Sequence, residues 1–148
     1  MTPQPPSGTF HPQVRITHGK STAWVDEGIA DLILAMWRAG VATALSCQEN
    51  HPGVAWVEFP LGDFHRFLRA VLRYEEGEDA LYQRILSRYE MVGGGDWRYT
   101  LTVEDVGMNH RIDGNERHES HSGVVRPFLF VGVRFPVADI PLLIERLS

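Results

Sequence analysis

The only cysteine of the chain lies in a segment whose residue types could support chemistry. Residues 46–51 (SCQENH) follow a predicted strand, and three residues separate Cys47 from His51. This spacing falls within the range found between zinc ligands. Alternatively, His51 lowers the pKa of the thiol, Cys47 acts as a nucleophilic thiolate, and Glu49 or Asp113 orients the imidazole. In a third interpretation, favoured by the residue type, Cys47 is a small buried hydrophobic side chain.

A second polar set lies between Gly107 and Gly123, a segment longer than most loops without secondary structure. It holds three of the seven histidines. If it folds over the end of the strand that leads into Cys47, a four-ligand zinc site forms from Cys47, His51, His118 and His121. Otherwise the segment is an exposed hairpin tip, a flap or a partner-binding loop. The candidate partner-binding residues are His110, Arg111, Arg117, His118 and His121.

Trp56 is a further candidate for ligand or partner contact. It shares strand phase with Val54 and Glu58, opposite Val57 and Phe59. The phase predicts that the indole faces outward, where a large aromatic favours a ligand or subunit contact.

Charge and composition argue against several classes of protein. The formal net charge is -5 and the isoelectric point is about 5.8, so no global field attracts a phosphate backbone. Arginines at 66, 69, 73, 84 and 88 alternate with acidic residues, which indicates solvated helix faces rather than a nucleic-acid surface. No apolar run reaches the length of about 20 residues that a membrane helix needs. With no signal-peptide pattern and one cysteine, we expect a cytoplasmic protein.

Hydrophobic periodicity predicts the elements that must position these residues. Residues 1–13 are rich in proline and are expected to form a disordered tail. Predicted strands cover residues 14–17, 41–46, 54–59, 97–104 and 124–135. Predicted helices cover residues 26–39, with Asp26 as the N-cap and Gly40 as a left-handed C-cap, then 63–74, 79–89 and a last stretch carrying Ile140, Leu143, Ile144 and Leu147. In the strand at 97–104, the alternation places Trp97, Tyr99, Leu101 and Val103 inward.

This order of elements predicts one α+β domain over residues 14–148. We expect a two-layer sandwich in which a largely antiparallel sheet carries helices on one face, ferredoxin-like in element order. The strand near the C-terminus is apolar on both faces and should lie centrally in the sheet.

The run from Trp37 to Gln48, following Val25–Ile29, resembles a pattern found in small uncharacterised bacterial and phage-encoded proteins. In that pattern a helix ends at glycine, a strand carries threonine, and Ser-Cys-Gln or Ser-Cys-Glu closes the strand. The likeness covers residues 24–59. It implies a helix-strand-strand unit and draws attention to Cys47, and it names no reaction. Many of those proteins have Gly-His directly after the acid or amide, whereas Glu49 and Asn50 precede His51 here.

The sequence favours a non-catalytic binding or protein-interaction module, with self-association through an exposed sheet face or edge. A protein partner is expected rather than nucleic acid or a membrane, and no cofactor is expected unless zinc is bound. The alternative is a small hydrolase or transferase that depends on Cys47 and His51, with or without zinc.

Overall fold

The computed structural model describes residues 11–72, 80–86, 97–105 and 127–148. Its strands are β1 (Gln13–His18), β2 (Ser21–Asp26), β3 (Leu45–His51), β4 (Val54–Pro60), β5 (Arg98–Asp105) and β6 (Pro127–Pro136). Its helices are α1 (Ala30–Arg38), α2 (Leu61–Val71), α3 (Ala80–Leu86) and α4 (Ile140–Leu147), with short 3-10 turns at Glu27–Ile29 and Val137–Asp139. None of these helices is long and apolar enough to cross a membrane.

The strands form two antiparallel sheets, which confirms the predicted α+β class. β1 and β2 form a hairpin, and the other strands form a four-stranded sheet in the order β3-β4-β6-β5. β6 lies between β4 and β5, which confirms its predicted central place. The ferredoxin-like element order is not confirmed, because two antiparallel pairs, β3-β4 and β5-β6, join through β4 and β6.

One face of the four-stranded sheet forms the core. Along β4, Ala55, Val57 and Phe59 are buried and alternate with half-buried side chains on the other face. Aromatic rings fill this layer: Trp97 stacks on Phe135 with ring centroids 4.9 Å apart. The helices contribute further core side chains, among them Leu32, Ile33, Met36, Phe67 and Leu143. The structure is therefore compatible with the predicted two-layer sandwich.

The sequence assigned residues 41–46 to a strand, which is wrong for residues 41–44 and right for residues 45–46. Gly40 has a φ of 81°, and Val41 N–H donates to the Met36 carbonyl at 2.9 Å. The Gly40 N–H donates to the Trp37 carbonyl at 3.0 Å. The two hydrogen bonds together form a Schellman C-cap, which confirms Gly40 as the left-handed cap. Val41 is thus buried as part of the helix end, and the strand begins only at Leu45. Residues 48–51, predicted as a connection, belong to β3, and the turn centres on Gly53 with a φ of 77°.

Other differences lie around β2, which the sequence analysis missed, and at the far end of β5. The helix predicted from Asp26 begins as a 3-10 turn, and among the described residues the Asp26 side chain makes no capping bond. β1 begins at Gln13, inside the segment assigned to the tail. Leu101 and Val103 lie on the core face by register, since Leu101 pairs with the buried Val131, but they are 61% and 60% exposed.

A buried carboxylate joins three elements of the core layer. Asp139, before α4, is 8% exposed and accepts two hydrogen bonds from the Arg84 guanidinium, at 2.7 and 2.8 Å. It also accepts one from the Trp97 indole at 2.9 Å. Arg84, which the sequence placed on a solvated face, therefore serves as the counter-ion of a buried acid.

We expect Asp139→Ala to lower the free energy of unfolding by about 3 kcal/mol, because it removes the buried carboxylate that accepts from both the Arg84 guanidinium and the Trp97 indole. Urea unfolding followed by circular dichroism measures the change. Arg66→Ala is the matched control: it removes a 3.2 Å ion pair with Asp63 whose arginine side chain is 62% exposed, and should cost less than about 1 kcal/mol. Equal losses in both variants would contradict the assignment.

Candidate functional site

Three side chains able to bind a metal ion converge where the hairpin meets the four-stranded sheet. They are His11, just before β1; Asp26, at the end of β2; and Cys47, in β3. One donor atom from each lies within 4.8 Å of the donors of the other two. Asp26 is buried, whereas His11 and Cys47 are half-buried.

Strand register brings the first two residues together. Gln13 pairs with Asp26 in the β1–β2 hairpin, and the Glu27 N–H donates to the Pro12 carbonyl at 2.8 Å. These pairings fix the chain that precedes β1 beside the end of β2. His11 is thereby held next to Asp26 although the two are far apart in sequence.

The Asp26 carboxylate also holds the third residue in place. Its Oδ2 accepts a hydrogen bond from the backbone N–H of Gln48 at 2.9 Å, directly after Cys47. Its Oδ1 accepts one from Gln13 Nε2 at 3.1 Å. A carboxylate that is 5% exposed is stable only when such donors replace water. Its position in the site is therefore fixed by β1 and β3 together.

The Gln48 side chain supports the site from the other side. Its Oε1 accepts from the Gly28 N–H at 2.7 Å, and its Nε2 lies 3.4 Å from His11 Nδ1. The bond to Gly28 fixes which end of the amide faces the imidazole. A Cβ at position 28 would lie 2.6 Å from Gln48 Oε1, so this close approach requires glycine.

The Cys47 thiol is held in its protonated form. Burial, and to a lesser extent the neighbouring Asp26 carboxylate, raise its pKa above the ordinary value of a cysteine. A thiolate nucleophile needs the opposite shift. A divalent cation reverses this electrostatic situation, since it favours both the thiolate and the carboxylate.

The structure places only part of the sequence-predicted zinc set. Cys47 is in the cluster, and His51 forms the β3 residue paired with Val54, but its side chain lies outside the part described. His110, Arg111, Arg117, His118 and His121 all lie outside the described residues, as does Asp113. The convergence of Cys47, His51, His118 and His121 therefore stays a prediction. Glu49 accepts from Gly53 N–H at 2.8 Å in the β3–β4 turn.

Sequence reasoning missed His11 and Asp26. His11 stands among prolines, and Asp26 precedes a helical stripe where a capping role is the usual expectation. The sequence did contain one signal. If Gly19 and Lys20 are taken as the two-residue turn of a hairpin, Gln13 falls opposite Asp26.

A row of side chains runs from the cluster across the open face of the sheet. Cys47 pairs with Trp56, Trp56 with Arg134, and Arg134 with Arg98. Directly paired residues in antiparallel strands share a face, so all four lie on the side away from the core. Trp56 is half-buried there. The open face thus carries one indole and two guanidinium groups beside the cysteine.

A separate groove lies between β2 and the chain at residues 40–46. A cavity of about 470 Å³ is lined by His18, Lys20, Trp37 and Thr43, among others. An adjoining cavity of about 250 Å³ shares Trp37 and Thr43. Neither cavity is lined by His11, Asp26 or Cys47.

No protein-family model, curated protein or solved structure matches the chain. The chemistry of the cluster therefore follows from its own donor atoms. Thiolate sulfur, imidazole nitrogen and carboxylate oxygen are all ligands of Zn²⁺ in proteins. A mixed set of this kind does not suit Mg²⁺ or Ca²⁺, which prefer oxygen.

We expect the pH midpoint for alkylation of Cys47 in metal-free protein to lie above that of an unhindered cysteine, because burial and Asp26 disfavour the thiolate. Iodoacetamide labelling, followed by mass spectrometry across a pH series with chelator present, measures it. Asp26→Asn should move the midpoint down, since it removes the contribution of the Asp26 carboxylate while burial, the largest cause, remains. A midpoint at or below that of a free cysteine would contradict the assigned environment.

Proposed function

We propose that the chain is a zinc-binding domain whose centre is formed by His11, Asp26 and Cys47. The observation that carries this proposal is the separation of their donor atoms, all within 4.8 Å of one another. Tetrahedral zinc, with bonds of about 2.0–2.3 Å, places its ligand atoms roughly 3.5 Å apart. Small side-chain movements, with the backbone unchanged, would bring the three donors to that spacing.

Charge supports a divalent ion. One thiolate and one carboxylate neutralise Zn²⁺, and a neutral imidazole adds no charge. A site of zero net charge limits the cost of placing an ion beside a carboxylate that is 5% exposed. Without an ion, the thiol of Cys47 is protonated beside the Asp26 carboxylate. Binding of Zn²⁺ would therefore release the thiol proton and form the thiolate.

The residues behind the ligands also support a metal site. Asp26 is held by the side chain of Gln13 and by the backbone N–H of Gln48. Partners of this kind orient ligands in metal sites, and their loss typically costs about 10- to 100-fold in affinity. The cluster is therefore prepared for binding by residues that would not themselves touch the ion.

Within this proposal the domain remains a binding module, as its sequence favours. A second candidate function is a zinc-dependent hydrolase or transferase. The observation in its favour is that the described residues supply three protein ligands, since catalytic zinc sites keep the fourth position for water or substrate. A Cys47 nucleophile without metal is less well supported, because its thiol pKa is raised rather than lowered.

We expect purified, untagged protein dialysed against Zn²⁺ to retain one equivalent by elemental analysis. His11→Ala, Asp26→Asn and Cys47→Ser should each weaken zinc binding by at least about tenfold in competition with a chromogenic chelator. His18→Ala and His65→Ala, which remove exposed histidines elsewhere, are matched controls that should bind normally. Binding of Co²⁺ should add a thiolate-to-metal charge-transfer absorption that is absent in Cys47→Ser.

Two outcomes would contradict the proposal. One is protein that keeps no zinc after dialysis while remaining folded. The other is zinc that is lost in His118→Ala or His121→Ala and kept in His11→Ala and Asp26→Asn. The second result would instead support the ligand set predicted from the sequence.

A further inference from the structure

We propose that the row Cys47, Trp56, Arg134 and Arg98 binds a small ligand with a planar ring and a phosphate, of the size and charge of a nucleoside monophosphate. The ring stacks on Trp56 and the phosphate meets the two arginines. This inference names a ligand for the surface beside the zinc centre, and it rests on the proposed function only in placing the ligand next to the metal.

The row is continuous because three registers coincide. Each strand contributes one member, and each member is the direct partner of the next. Neighbouring strands lie about 4.8 Å apart, so the row spans roughly 14 Å from the cysteine to the outer arginine. A ligand lying along it would cross all the strands and end at the metal centre.

Gly132 lets the indole of Trp56 lie across the sheet. A Cβ at position 132 would come 3.0 Å from Trp56 Nε1, closer than ordinary van der Waals contact. The missing side chain leaves room for the ring against the backbone of β6. An indole supported in this way is a stacking platform for a planar ring such as a nucleobase.

The arginines supply charge complementarity for a phosphate. Arg134 is half-buried and already oriented, since its Nη1 lies 3.3 Å from the Thr100 hydroxyl. Arg98 is its register partner on β5. Guanidinium groups bind phosphate through paired N–H donors.

The acids of the same face lie in other rows. Glu58 pairs with Gly132, and Glu104 with Phe128. Glu58 lies in the row next to Trp56, and an anion is disfavoured beside either carboxylate, so the arginines are the favoured place for the phosphate.

The test is an NMR titration of ¹⁵N-labelled protein with adenosine 5′-monophosphate. The chain has four tryptophans and hence four indole N–H signals, and Trp56→Phe identifies the one from Trp56. We expect the nucleotide to shift the Trp56 signal and to leave that of Trp97, which is 1% exposed, unchanged. Adenosine, which has the ring alone, and inorganic phosphate, which has the anion alone, should each bind at least tenfold more weakly.

Arg134→Gln should weaken nucleotide binding about tenfold or more, because it removes a charge-assisted hydrogen bond, and should leave adenosine binding unchanged. Arg69→Gln, which replaces an exposed arginine on α2, is the matched control.

The titrations are run with chelator-treated and with zinc-loaded protein. If the protein binds zinc but the nucleotide does not shift the Trp56 indole N–H signal, this inference is overturned and the zinc proposal stands. A shift only with zinc, insensitive to Arg134→Gln, also overturns it, because the metal alone would then hold the phosphate. A shift in protein that binds no zinc supports the ligand site and overturns the zinc centre.

Discussion

The buried carboxylate of Asp26 connects the two sheets, and the arrangement of the candidate site depends on it. One oxygen accepts from a side chain of β1, and the other from the backbone of β3. A carboxylate that is 5% exposed is costly to bury without hydrogen bonds. Asp26 therefore depends on donors from both the hairpin and the four-stranded sheet. His11 and Cys47 are neighbours only because this contact holds their strands together.

The two faces of the four-stranded sheet have separate roles. Apolar and aromatic side chains occupy the face under the helices, where Asp139 is the buried acid and Arg84 and Trp97 satisfy it. The opposite face carries Trp56 and the arginines in register with Cys47. The packed core thus lies on one face, and Cys47, a proposed zinc ligand, lies on the edge strand of the other face. Substitutions on the open face therefore change binding groups without disturbing the packed layer.

Local patterns in the sequence were sufficient for the fold class, for the Gly40 cap and for the central place of β6. They failed where a residue's role depends on a partner distant in sequence. Val41 is apolar and β-branched, so it suggested a strand, yet it packs as the residue that closes a helix end. Asp26 suggested a cap, yet Gln13 and Gln48 take its carboxylate. The sequence singled out Cys47 as a site candidate, but its described neighbours come from a hairpin whose second strand the pattern did not reveal.

The members of the cluster are separated along the chain by the β1–β2 hairpin and by α1. An ion held by residues 11, 26 and 47 would close two chain loops at once, much as a cross-link does. The β1–β2 hairpin contributes few side chains to the main core, chiefly Ile16 and Val25, so we expect it to open more readily than the four-stranded sheet. Metal occupancy would thus act as a fastener for this hairpin, setting how often it detaches while the four-stranded sheet stays folded.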